Sequence, residues 1–340
     1  IQFIPEALQQ VRLDAAPGAG VSHASAVFQH KMRTGGPDFR FNLKVQTDRF
    51  THNYTKRFNT FSYGFQNYLL TASGKIWFDN IRFFVAAEQE NYFDHYRRFW
   101  DGFSYGAPEH TLYDYYRGYT LEDVTGLDRI TVKPGNIPKA KSEQSVINGL
   151  ITADFNALKL KLIHLSTEDW RQLNETPITN MFDLERIPAT RSNASVWSVQ
   201  ADYQAPFDFN FHAQLDFLNS ETKSYDPNFG DDFMLYYDSA AVRAKGLTWD
   251  SPIPRYYDSK YLDPPSFYIH SFRFRGTGEV ISEYSKMKED HVTFSGFLRR
   301  KLYSHDLTFG FETQQRTIRL FDISSVYNYI SHYSNQGENF

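Results

Sequence analysis

The chain has 340 residues, including 31 Phe, 23 Tyr and no Cys, with a net charge of −4, a mean hydropathy of −0.55 and a pI near 6.3. This charge balance leaves no electrostatic footprint for nucleic acid, and the lack of cysteine excludes disulfide frameworks, thiolate metal sites and cysteine nucleophiles. No apolar run approaches the roughly 20 residues of a spanning helix; a polar average rich in aromatics fits a carbohydrate-binding β-protein or a transmembrane β-barrel with polar lumen and aromatic girdles.

The opening, 1–36, shows no long alternating strand. Pro5 to Leu13 is a short mixed segment, Ala15 to Gly20 a small-residue turn and Ala26 to Met32 a brief strand, followed by a Gly35-Gly36-Pro37 break. Ile1 is neither an initiator Met nor the start of a leader pattern, so the sequence reads as mature, truncated or both.

From Phe39 onward the pattern is period two, the mark of a strand with one apolar face. Phe39, Phe41, Leu43 and Val45 alternate with Arg40, Asn42, Lys44 and Gln46. A second strand, about Gln66 to Ser73, places Tyr68, Leu70 and Ala72 together, and a turn containing Lys75, Trp77 and Asp79 follows. The third sets Ile81, Phe83, Val85 and Ala87 against Arg82, Phe84, Ala86 and Glu88. The fourth sets Ile147, Gly149, Ile151, Ala153 and Phe155 against Asn148, Thr152 and Asp154, and turns at Asn156-Ala157. The fifth, Leu158 to Leu165, alternates clearly only at its start. Ala194 to Leu218 reads as a hairpin turning at Gln204, Ala205 and Pro206, with Trp197, Val199, Ala201, Tyr203, Phe209, Phe211, Ala213, Leu215 and Phe217 on one face. An eighth strand carries Val292, Phe294, Gly296 and Leu298, and a Ser304-His305 turn leads to a ninth with Leu307, Phe309 and Phe311.

Connections alternate between short and long. The long ones, 49–62, 91–146, 168–192 and 219–290, mostly exceed the roughly 12 to 15 residues usual for structureless loops in compact domains. Short turns at one end and long loops at the other are the pattern of outer-membrane barrels. Trp77, Phe78, Tyr203, Phe207 and Tyr303 flank the short turns, and Phe61, Tyr63, Tyr92, Phe93 and Trp170 the long loops, as two aromatic girdles would.

At the join between the opening and the first strand the chain resembles TonB-dependent outer-membrane receptors. The resemblance rests on Ala7 to Leu13, Pro17 to Ser25, Ala26 to Lys31 and Met32-Arg33-Thr34-Gly35-Gly36, similar to a plug's final strands and exit, and on Pro37-Asp38-Phe39-Arg40-Phe41, similar to a first barrel strand. Ala24-Ser25 stands where the family has Gly-Gly. The resemblance implies an all-β fold: a transmembrane antiparallel β-barrel, about nine strands of roughly 22, with 1–36 as the end of a plug domain and 37–340 as partial barrel. It further implies a bacterial outer-membrane receptor that captures a substrate with extracellular loops and imports it through a plugged barrel. The implied partners are outer-membrane lipid, a TonB-type energy-coupling protein reached through a missing N-terminal segment, the remainder of the barrel and an unknown substrate, with no cofactor.

No catalytic set emerges: the eleven His are scattered and no phosphate-cradling glycine loop or nucleophile elbow is present. Ligand contact is expected from Trp100, Asp101, Tyr105, Tyr113, Asp114 and Tyr116 in one loop and Tyr225, Asp226, Asp231 and Asp232 in another, since such side chains stack on sugar or peptide faces and accept hydrogen bonds. The second group is also a conceivable calcium site, without the spacing of a dedicated hand. Arg40, Lys44, Arg82, Glu88, Asp154, Asp202, Asp208, His212, Asp216 and Glu312 are expected on the polar face, where the resemblance implies contact with a plug. Two other readings share these features: a secreted or surface β-protein that binds or cleaves glycans, and a receptor-like barrel that is a structural subunit of an envelope complex.

Overall fold

The computed structural model describes residues 2–14, 27–49, 57–60, 62–94, 102–104, 131–133, 137–172, 174, 176, 179–180, 183–249, 267–269, 272–275, 278–280, 283–303 and 305–335. Within these the chain is all-β. In order, the strands are β1 (Leu8–Asp14), β2 (Val27–Met32), β3 (Arg40–Thr47), β4 (Gln66–Ile76), β5 (Phe78–Tyr92), β6 (Gly102–Ser104), β7 (Thr131–Lys133), β8 (Ser142–Phe155), β9 (Leu158–Gln172), β10 (Ala189–Ala205), β11 (Phe209–Tyr225), β12 (Phe267–Ile269), β13 (Phe272–Phe274), β14 (Tyr284–Leu302) and β15 (His305–Ile323); the helices are α1 (Ser239–Ala244) and α2 (Val326–Asn335).

Nine strands form one antiparallel sheet in the order β15-β14-β11-β10-β9-β8-β5-β4-β3, so each long strand pairs with its neighbours in sequence. The pairs β1–β2, β6–β7 and β12–β13 stand apart as two-stranded ribbons. Short turns join β4 to β5, β8 to β9, β10 to β11 and β14 to β15 at one end of the sheet, and the long connections lie at the other.

The strands outrun their apolar stretches. β10 and β11 each span 17 residues and β14 and β15 each span 19, so both ends of the expected loops 168–192 and 219–290 are paired strand. Polar ends such as Thr167–Gln172 hide from a hydropathy reading yet keep an unbroken ladder with β10. Two turns also move. β10 pairs with β11 up to Ala205↔Phe209, so the hairpin turns through Pro206, Phe207 and Asp208 instead of Gln204 to Pro206. β14 pairs up to Leu302↔His305, which makes His305 a strand residue. Trp77, Phe207, Asp208 and Tyr303 all take positive φ at these short turns, a conformation that a reading tuned to Gly and Asn passes over.

Candidate functional site

The two faces of the large sheet differ in kind. Residues directly opposite one another in an antiparallel ladder share a face, so the registers define rows across all nine strands. One row runs Phe41, Ala72, Val85, Gly149, His164, Trp197, Phe217, Val292 and Gln315. The next row toward the short turns includes Phe83, Ile151, Leu162, Val199, Leu215 and Phe294. These side chains are open to the surroundings: Phe41 is 58% exposed, Phe211 44% and Phe309 71%. With strands roughly 4.8 Å apart and outward residues roughly 6.8 Å apart along each strand, about four rows make an apolar face on the order of 1,000 Å². The largest apolar patch on a typical soluble monomer is about 300 to 600 Å².

The opposite face is mostly polar, with Phe297, Ile318 and Leu320 exposed on it and one apolar patch covered. Leu69, Phe84, Ala86, Val146, Leu150 and Leu165 point to it and are buried. Ile4 and Ala7 pack on Leu69, Phe84, Ala86 and Val146, and Met32, with Phe3 beside it, packs on Leu150 and Leu165. The β1–β2 hairpin and the residues before it therefore cover an apolar spot on a mostly hydrophilic wall. Asn148, fully buried at the centre of this contact, accepts a hydrogen bond from the Ile4 N–H at 2.7 Å and donates to the Gln2 carbonyl at 3.3 Å. The Gln2 N–H donates to Thr167 Oγ1 at 3.0 Å, and Lys44 Nζ lies 3.6 Å from Glu6. At the exit of the segment, a Cβ on Gly35 would overlap the carbonyl oxygens of Phe83 and Gly74, so only glycine fits that close approach.

Nearer the short turns the same face carries ionic and hydrogen-bonded pairs. Asp202 accepts from Lys161 at 3.2 Å and pairs with His212 Nδ1 at 2.6 Å, and the His212 ring stacks on Phe297. A cavity of about 810 Å³ opens between this wall and the N-terminal segment, with Gln9, Lys31, Arg82, Asp154 and Lys159 among its lining residues.

At the long-loop end a cap with its own core sits on β14 and β15. Phe229, Tyr236, Tyr237, Val242, Trp249 and Val280 pack with Tyr284, Ile323, Val326 and Ile330. Arg186, fully buried, donates to Asp226 at 2.6 Å and to the Tyr236 carbonyl at 3.1 Å, with its guanidinium 5.1 Å from the centre of the Phe229 ring. Asp238 caps α1 by accepting from the N–H groups of Ala240 and Ala241. Burial alone would raise the Asp231 carboxyl, but the Tyr284 hydroxyl, Lys223 and Lys286 outweigh it and hold the group down at about 2. Asp183 is pushed up to about 7, chiefly by burial, with Arg275 and Arg186 opposing. A pocket of about 290 Å³ beside them is lined by residues including Arg171, Asn180, Thr190 and Arg275.

Of the expected ligand residues, Trp100, Asp101, Tyr105, Tyr113, Asp114 and Tyr116 lie outside the described residues. The others fall in or beside the cap: Tyr225 packs against its core, Asp226 is 1% exposed and committed to Arg186, Asp231 ties the cap to β11 and β14, and Asp232 is exposed at the start of a 3-10 turn. Among the described residues no three His, Asp or Glu side chains come close enough to hold a metal ion. Arg40, Lys44, Arg82, Glu88, Asp154, Asp202, His212, Asp216 and Glu312 have the register of the polar face. Asp208 does not; it is an exposed turn residue, displaced from the strand by the shift of the hairpin turn. Two central residues escape a sequence reading. Asn148 looks like any polar residue of an alternating strand, and Arg186 lies in what reads as an undifferentiated loop.

Compared with models of protein families, with curated proteins and with solved structures, the chain matches none.

Proposed function

We propose that this chain is part of an outer-membrane receptor of the TonB-dependent type, in which the apolar face is bathed in lipid and the polar face lines a plugged lumen. The observation that carries the reading is the conjunction of the two faces. An apolar surface spanning nine strands stands exposed, while the chain's own N-terminal segment is seated on the hydrophilic side. A soluble glycan-binding sheet would bury its apolar face beneath a second layer, and among the described residues no second layer covers it.

On this reading the short turns are periplasmic and the long-loop end extracellular. The cap and the pocket beside Arg171 and Arg275 would meet substrate first, and the N-terminal segment, as the end of a plug, would have to shift for passage. A TonB-type coupling protein acting upstream of that segment would supply the energy. Backbone groups at the outer edges of β3 and β15 would each cost several kcal/mol in hydrocarbon without partners, so further strands of the same barrel must adjoin them.

Extraction of the envelope of cells producing the full protein tests this. Retention in the membrane pellet after alkaline carbonate, with release by detergent, is expected; release by carbonate or salt alone overturns the reading.

A further inference from the structure

From the rows beside the short turns up to the row of Trp197, the described residues of the apolar face include a single Lys, Arg, Asp or Glu, namely Arg300. It lies between Phe209 and Leu307 in the ladder, two residues from the end of β14. Its neighbour Arg299, on the other face, pairs with Asp306 at 3.1 Å. Arg300 has no acidic partner among the described residues; its guanidinium lies 4.4 Å from the centre of the Phe209 ring, and its buried Nε has no hydrogen-bond acceptor. An arginine cannot discharge by losing its proton. No carboxylate among the described residues of these rows meets it, so an anion from outside the chain is the partner that would complete it.

Beyond the next row, that of Tyr203, Phe211, Leu298 and Phe309, the face is hollow. Ala201, Ala213 and Gly296 occupy one row, and the Phe311 ring of the next strand lies over Gly296, so the open floor of the row is at Ala201 and Ala213. Tyr203, Phe211 and Phe309 stand around them, and together these residues line a groove of about 480 Å³. Gly296 lies four residues from Arg300, roughly 14 Å along the strand. One row, that of Leu298, separates the hollow from the arginine, and the hollow lies on the side away from the short turns.

We propose that Arg300 and this groove bind one anionic phospholipid, with its phosphate against the guanidinium and an acyl chain passing Leu298 to lie over Ala201 and Ala213. The site rests on the membrane reading above and adds to it a specific headgroup charge at the short-turn rim. The guanidinium offers planar paired donors to phosphate oxygens, Phe209 holds it flat against the wall, and the missing side chains leave room for a hydrocarbon tail. The order of the parts, charge at the rim and apolar hollow toward the middle of the sheet, is that of a lipid in the leaflet nearest the short turns.

The test uses the full protein, purified in detergent and delipidated, and counts bound lipids by native mass spectrometry. Phosphatidylglycerol is expected to be retained about tenfold more strongly than phosphatidylcholine, whose choline cation offsets its phosphate beside the guanidinium. Arg300→Gln should abolish that preference, and Ala213→Leu, which fills the hollow without touching the charge, should weaken retention of phosphatidylglycerol. Glycerol phosphate, a headgroup without a chain, should fail to compete at lipid concentrations that saturate the site. An unchanged preference in Arg300→Gln, unchanged retention in Ala213→Leu, competition by glycerol phosphate, or a second protein copy seated on the groove would each overturn the proposal. A protein that stays membrane-bound after carbonate yet shows no preference sinks only the lipid site, whereas carbonate release sinks both readings.

Discussion

The two ends of the same strands solve opposite problems. Toward the short turns, β10, β11 and β14 expose Val199, Phe211, Phe294 and their neighbours on one face, and among the described residues nothing covers them. Toward the long loops, the ends of β14 and β15 place Tyr284 and Ile323 beneath a cap whose core includes Trp249, Tyr237 and Val326, with an arginine and an aspartate buried in it. In one half the apolar face stays open among the described residues; in the other the protein makes its own interior. On the membrane reading proposed above, the strands are longer than a span needs, since about 9 to 11 residues suffice for that. The remaining length is a platform for the cap.

That contrast can be broken from either side. The largest effect is expected in the cap. Arg186→Met strands Asp226 without its cation in a dry site and should cost about 3 to 5 kcal/mol, read as loss of hydrogen-exchange protection over 226–249 while β10 and β11 stay protected. Uniform loss over both would mean that the two halves are one cooperative unit. In the other half, Phe211→Arg or Leu215→Arg should cost about 2 to 4 kcal/mol at mid-face and prevent assembly, seen as loss of heat-modifiable mobility on gels. His212→Arg, on the opposite face of the same strand and beside Asp202, should assemble normally. Equal tolerance at all three positions would remove the distinction between the faces.

Smaller effects sharpen the picture. Asn148→Ala removes the acceptor of the Ile4 N–H and a donor to the Gln2 carbonyl, a cost of about 1 to 3 kcal/mol. The N-terminal segment should become protease-sensitive while the sheet remains intact, and cleavage unchanged from wild type would refute the contact. Asp183 supplies a pH signature of comparable size. Its folded-state value of about 7 lies above the ordinary 3.8, so the folded form holds the proton more tightly. The stability this contributes is present at low pH and is lost as pH rises toward 7. Between pH 5 and 8 the wild type should therefore lose roughly 1 to 3 kcal/mol that Asp183→Asn retains; parallel melting profiles for the two would count against it. Glu168→Gln, which breaks an exposed pair with Arg191, should change stability by less than about 1 kcal/mol.

The large sheet was legible in the sequence wherever its two faces differ in polarity. β11 shows this best: Phe209 to Phe217 alternates without a break, and the register confirms each assignment from Asn210 to Phe217. Legibility failed where that difference vanishes. β9 blurs after Leu162 because Ile163 and Leu165 face the covered spot beneath Phe3 and Met32, so apolar residues occur on both sides. Its end, Thr167 to Gln172, is polar on both sides and reads as loop, although each residue is paired. The hairpin turn moved because Pro206 is a strong punctuation mark, while the positive φ falls on Phe207 and Asp208. At the candidate site, Asn148 and Arg186 matter through what the fold brings to them from 144 and 40 residues away. No local pattern carries such distances.

The attachment points of the N-terminal segment also have a mechanical order. Gln2 is tied to Thr167, Ile4 to Asn148 and Glu6 to Lys44, while the close fit of Gly35 comes some thirty residues later along the chain. A tug applied ahead of Gln2 would load these ties one after another, in the manner of a zipper rather than of a bolt sheared at once. The chain runs on past Gly35 into β3, so a segment lifted at its start would stay joined to the wall.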